Sequence, residues 1–134
     1  MKLTYKLSEI DSVAAVVLPL LKNKRVLLKG ALGVGKTTLV KSLVAAIGSK
    51  DTVSSPTFSV VNEYKTETTK IFHFDLYRIK DLNELLDIGF EDYMVGDHWV
   101  FIEWPDILDK FDAGKPQYIR LERKNEDERE LFVC

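Results

Sequence analysis

Gly30-Ala31-Leu32-Gly33-Val34-Gly35-Lys36-Thr37 fits the pattern G-x-x-x-x-G-K-[ST], a spacing suited to holding phosphate. Glycines at 30, 33 and 35 let successive backbone N–H groups, that of Val34 among them, converge on polyphosphate oxygens where a side chain would block the approach. Lys36 can reach the β- and γ-phosphates, and the Thr37 hydroxyl suits Mg²⁺. A helix expected to begin near Lys36 would add its N-terminal amides and dipole. The competing reading is a glycine-rich turn that holds only a structural anion.

Two carboxylates stand at the ends of apolar runs. In Ile71-Phe72-His73-Phe74-Asp75 the strand period puts His73 and Asp75 on one face and Phe72, Phe74 and Leu76 on the other. Ligands of α/β sheets bind beyond the carboxyl ends of strands, so Asp75 is a site candidate. Trp99-Val100-Phe101-Ile102 reads as a strand buried on both faces and ends at Glu103, a Walker B-like carboxylate that would hold Mg²⁺ directly or through water. Trp104, not a second carboxylate, follows it, which leaves Asp75 to orient the attacking water. Trp104 itself could guard the nucleotide, face a partner or simply pack. His73, a lone histidine within a strand, reads as a packed or hydrogen-bonded core residue.

The elements that must position these groups follow in order. Leu3, Tyr5 and Leu7 alternate as a first strand, and Ser8 is the expected N-cap of a helix. That helix carries Ile10, Val13, Ala14, Val17, Leu18 and Leu21 on one stripe and packs on the sheet. Val26-Leu27-Leu28 is the strand before the phosphate loop. Leu39, Val40, Leu43, Val44 and Ile47 recur at helical spacing after it, and Gly48 supplies the stop. Ser54-Ser55-Pro56-Thr57 leads into a strand-like run from Phe58 to Tyr64. Ser55 and Thr57 either sense the γ-phosphate or only form the turn ahead of that strand.

Lys65 to Lys70 reads as a hairpin turn. Asp81 and Glu84 suit the cap of a short helix through Leu82, Leu85 and Leu86, and Phe90 to Gly96 reads as loop. Pro105 to Phe111 predicts a further short helix. Ile119 with Leu121, the turn Asn125-Glu126-Asp127, and Leu131 with Val133 predict a closing antiparallel hairpin. The whole is an α/β, three-layer P-loop NTPase-like fold with a central mixed sheet, one domain over residues 1–134.

Composition narrows the partners. Nineteen basic and 21 acidic residues give a formal net charge of -2, so no overall field gathers nucleic acid or anionic membrane. The single cysteine, Cys134, excludes an internal disulfide and fits a reducing cytoplasm. The longest apolar run, Val13 to Leu21, is broken by Pro19 and is too short for a membrane span.

Taken together, GALGVGKTT (30–38), SPTF (55–58), FHFDLYR (72–78) and EWP (103–105) resemble the TsaE (YjeE) family, small bacterial ATPases required to make threonylcarbamoyladenosine in tRNA. The resemblance covers nearly the whole chain. It implies ATP and Mg²⁺ as cofactors, engaged by Lys36 and Thr37, with Glu103 helping to hold the metal. It also implies that Thr38, Asp75 and Trp104 matter to activity, and that Ser8 and Arg129 lie near the base. The implied partners are TsaB and TsaD, with tRNA reached indirectly through their complex. Where the family usually has Asp, this chain has Ala31, which removes a charge and leaves the backbone cradle intact.

The expected chemistry is attack of water on the γ-phosphorus, slow in the isolated chain and completed by a partner. An ATP/ADP-gated binding module without required turnover is the rival from another class. A small-molecule kinase lacks room for an acceptor pocket and lid, and a GTPase lacks its D-x-x-G and N-K-x-D motifs.

Overall fold

The computed structural model describes residues 1–54, 60–110 and 115–134. Among the described residues seven strands form one sheet: β1 (Lys2–Lys6), β2 (Arg25–Lys29), β3 (Val61–Lys65), β4 (Lys70–Asp75), β5 (Trp99–Glu103), β6 (Gln117–Arg123) and β7 (Glu128–Val133). Their order is β1-β7-β6-β2-β5-β4-β3. β2 is parallel to both β6 and β5, and β5 is parallel to β4. The outer pairings, β3 with β4, β6 with β7 and β7 with β1, are antiparallel. This is the mixed sheet and closing hairpin that the sequence predicts, with β1 added along the hairpin's outer edge.

Helices cover both faces, as central parallel strands require. α1 (Ile10–Val17) and α2 (Lys36–Ile47) lie on one side, α3 (Leu82–Asp87) and α4 (Phe90–Tyr93) on the other. Strand alternation divides the core between them. Val26, Leu28, Ile71 and Phe101 pack with Val13, Val17, Leu39 and Leu43, whereas Leu27, Phe74 and Ile102 pack with Leu85 and Phe90. The same parity turns His73, Asp75 and Glu103 toward α2. Gly48, at φ 119°, ends α2 in the left-handed cap expected of it, its N–H reaching the Val44 and Ala45 carbonyls. Asp81 caps α3 as predicted, accepting from the Asn83 N–H at 3.0 Å.

Three local expectations are corrected. β1 ends at Lys6, because the chain winds into a 3₁₀ turn over Leu7–Glu9 after a last bond from the Leu7 N–H to the Asp127 carbonyl at 2.9 Å. Leu7 is consequently 40% exposed instead of extending the buried alternation. Ser8 then falls inside a 3₁₀ turn, Leu7–Glu9, and does not cap α1; Glu9 reaches back instead, accepting from the Lys6 N–H at 2.8 Å. The segment from Phe90 is not all loop. Gly89, at φ 76°, breaks the chain out of α3, and Phe90 begins α4 with its ring edge-on to Phe74 at 5.0 Å. Four residues are too few to register as a periodicity.

Pro105–Lys110 form the short helix expected after β5, as a 3₁₀ turn. Ser55, Thr57, the opening of the Phe58 to Tyr64 run and Phe111 lie outside the described residues. Among the described residues no helix is long and apolar enough to cross a membrane.

Candidate nucleotide-binding site

The phosphate loop hangs between the end of β2 and the start of α2. Val34 plugs it into the core, 3% exposed, while Ala31 and Leu32 project outward. The Val34 N–H closes a turn onto the Ala31 carbonyl at 3.1 Å. Gly33 and Gly35 have φ values of 77° and 113°, conformations that residues with a Cβ rarely adopt, and a Cβ on either would point into open space. That open space is the mouth of a pocket of about 250 Å³ lined by Gly33, Gly35, Lys36, Thr37, Thr38, Asp75, Glu103 and Trp104. Seven of the predicted phosphate, metal and catalytic positions thus meet at one place, with Trp104 beside them.

Strand register explains the meeting. Glu103 pairs across the sheet with Leu28 on one side and Asp75 on the other. The ends of β2, β5 and β4 therefore lie level at the carboxyl edge of the parallel sheet, where the loop and α2 begin. Glu103 is 3% exposed. Its charge is met by the Thr37 hydroxyl, 3.0 and 2.9 Å from its two oxygens, and by His73 Nε2 at 2.5 Å from Oε2. Asp75 is half-buried and accepts from the Tyr77 N–H at 3.0 Å.

Lys36 is 5% exposed and folds back on its own loop, donating to the Gly30 carbonyl and, at 3.4 Å, to that of Ala31. Burial holds its ammonium below the ordinary lysine range, against the opposing pull of Glu103, Asp75 and Asp106. The Trp104 ring covers it, with Nζ 3.6 Å from the ring centroid. Trp104 thus touches the phosphate-loop lysine directly, and Asp106 adds negative charge that no sequence motif predicts at the site.

Ser8 and Arg129 lie apart from this pocket. Ser8 lines an open groove of about 640 Å³ with Lys6, Leu7 and the turn Asn125–Glu128. Arg129 is buried between groove and loop, its Nε donating to the Val34 carbonyl at 2.9 Å and Nη1 to the Asn125 and Glu128 carbonyls at 2.7 and 3.0 Å. The structure thus makes Arg129 a strut between β7 and the phosphate loop.

The donor set fits a magnesium ion held jointly with phosphate. Thr37 and Glu103 supply a hydroxyl and a carboxylate within 3.0 Å of each other, both oxygen donors. Among the described residues no group of three or more His, Cys, Asp and Glu forms a cage of protein ligands alone. Such a cage is not what a phosphate-bridging ion needs.

His73 is the packed, hydrogen-bonded core residue that the sequence predicts. The identity of its partner, the carboxylate of Glu103 on the neighbouring strand, was not predicted, although His73 shares a strand face with Asp75 two residues on.

Known proteins have related sequences. The chain is similar to proteins named tRNA threonylcarbamoyladenosine biosynthesis protein TsaE from three bacteria. Identity to that of Bacillus subtilis (strain 168) is 34% over 104 residues, 78% of this chain and 65% of the relative. Identity to that of Haemophilus influenzae is 41% over 95 residues, 69% of this chain and 60% of the relative. Identity to that of Aquifex aeolicus is 38% over 135 residues, 97% of this chain and 86% of the relative. The chain thus spans less than two thirds of the first two relatives. Among solved structures, the crystal structure of Bacillus subtilis YdiB superposes with a TM-score of 0.72 at 25% identity, over 99% of this chain and 84% of that one. The model of the family described as "Threonylcarbamoyl adenosine biosynthesis protein TsaE" matches residues 4–131, from β1 to β7 and across both acidic strand ends, and the chain belongs to the TsaE family.

Proposed function

We propose that this chain is a Mg²⁺-dependent ATPase that acts with TsaB and TsaD in forming threonylcarbamoyladenosine at the tRNA adenosine next to the anticodon. On this reading it works as one domain in the cytoplasm and meets tRNA only through its partners, in keeping with a net charge of -2. The observation that carries the reading is the convergence of Lys36, Thr37, Asp75 and Glu103 on one pocket beneath the loop amides. Family membership supports it.

The pocket, at about 250 Å³, suits the phosphates, and the neighbouring groove beside Ser8 and the Asn125–Glu128 turn is the place for the base. The loop amides and Lys36 neutralise phosphate charge. Lys36 exchanges the Gly30 carbonyl for phosphate oxygens, and Thr37 turns its hydroxyl from Glu103 toward the metal side. Thr37 and Glu103 would hold the Mg²⁺, which would supply charge neutralisation at the phosphates. Asp75 orients water for in-line attack.

Hydrolysis by the chain alone is slow on this reading. One Asp75 oxygen is engaged by the Tyr77 N–H, and no second carboxylate follows Glu103. A partner completes the site. Phosphate release from ATP with Mg²⁺, alone and with purified TsaB and TsaD, tests this. Release stimulated by the partners and lost in Glu103→Ala is the expected result. Tight ATP binding with no stimulation would favour a nucleotide-gated module, a reading supported by the way Lys36 and Thr37 are both fastened to protein groups.

A further inference from the structure

His73 is wholly buried on β4, and both ring nitrogens have partners. Nε2 lies 2.5 Å from Glu103 Oε2, and Nδ1 lies 3.3 Å from the Tyr64 hydroxyl. That hydroxyl is 3.1 Å from the Ser54 carbonyl, to which Asn62 Nδ2 also donates at 3.0 Å. On the far side, Thr37 donates to the same carboxylate. A file of polar groups therefore crosses the interior from Ser54, after α2, to Thr37, in the first turn of α2.

The position has no packing reason to be histidine. Its neighbour on the same face, Ile71, is equally buried, and an apolar side chain there would avoid the penalty of burying polar atoms. The ring instead makes two directed contacts. With Nε2–H donating to Glu103, Nδ1 is an acceptor, and the single Tyr64 hydroxyl proton is shared between it and the Ser54 carbonyl. A carboxylate that binds metal keeps one orientation only when a second group holds it.

We infer that His73 is a positioning residue for Glu103, its ring set by Tyr64, so that the carboxylate is presented to Thr37 and the metal side. This rests on the reading of Glu103 as the metal-holding carboxylate. Two substitutions separate positioning from simple core filling. A Gln amide stands three bonds from Cβ, like His Nε2, and can reach Glu103. An Asn amide stands two bonds from Cβ, like Nδ1, and can reach only Tyr64.

The measurement is the gain in affinity for a non-hydrolysable ATP analogue on adding Mg²⁺, by titration calorimetry, alongside the thermal midpoint of each variant. His73→Gln should keep that gain within about threefold of the parent, and His73→Asn should lose about tenfold or more, as outer partners of metal ligands typically do. The two variants should melt at similar temperatures, since each leaves one buried partner unmet. Equal gains in both variants would overturn the positioning role alone. A parent that shows no Mg²⁺ gain would overturn the metal reading of Glu103 and this inference with it. Should His73→Asn fail to fold, His73→Gln decides: a retained gain supports the role, and a lost one overturns it.

Discussion

Lys36 Nζ sits 3.6 Å from the centroid of the Trp104 ring while the same ammonium bonds the Gly30 carbonyl. Trp104 takes this position with φ 57°, a conformation that costs a bulky residue on the order of 1–3 kcal/mol, and Tyr77 packs against its ring at 4.9 Å. A phosphate that claims Lys36 must break the contact. In a Trp99→Phe background, Trp104 emission should therefore change as ATP is titrated in. The change should vanish with Lys36→Met. Constant emission across a titration that calorimetry shows to be saturating would disprove the displacement.

Lys36→Ala removes a charge-assisted contact to phosphate and should weaken ATP binding by about 10–100-fold. The lysine also leaves a mark on the nucleotide-free protein. Because burial lowers its pKa in the folded state, the unfolded chain binds more protons in the window below the ordinary value of 10.5. Stability therefore gains as pH rises through that window. Urea titrations across it should show a smaller gain in Lys36→Met than in the parent.

Glu103→Gln preserves shape and removes the charge that Thr37 and His73 surround. Hydrolysis in the presence of partners should fall by about 100-fold or more, while affinity for ATP without Mg²⁺ stays within a few-fold of the parent. Loss of metal-free binding as well would place Glu103 in the structural framework of the pocket.

Arg129→Ala strips donors from the Val34, Asn125 and Glu128 carbonyls in a buried setting. The expected loss of stability is about 2–4 kcal/mol, visible as a lower urea midpoint at unchanged slope. Arg129→Lys, which cannot span the loop and the turn together, should recover little of it. A variant as stable as the parent, with only weaker ATP binding, would show instead that Arg129 serves the nucleotide directly.

Gly30→Ala tests a different glycine requirement from that of Gly33 and Gly35. A Cβ at 30 would lie 2.8 Å from the Leu121 carbonyl oxygen and 2.8 Å from Val34 Cγ1, so loop and β6 would have to part. A loss of about 1–3 kcal/mol in thermal or urea unfolding is expected.

The sequence pattern was most legible where period and end signals agreed. The Leu39 to Ile47 stripe with Gly48, and Trp99–Ile102 ending at Glu103, both became the expected elements. Parity along β4 correctly put His73 and Asp75 together. Legibility failed where a contact from a distant segment decided the outcome. Arg129 proves to be a strut because the loop carbonyl of Val34 lies beside it. That partner is 95 residues away in sequence, so no local period announces it.

Thr37 and Glu103, in contact through the site, are 66 residues apart along the chain. Their meeting depends on the parallel pairing of β2 with β5, and Asp75 joins them only through that of β5 with β4, each of which closes a long loop before any contact rewards it. The pocket exists only where the sheet is closed across β2, β5 and β4, and on the proposed function bound ATP would stabilise that state alone, raising the melting temperature with ligand concentration.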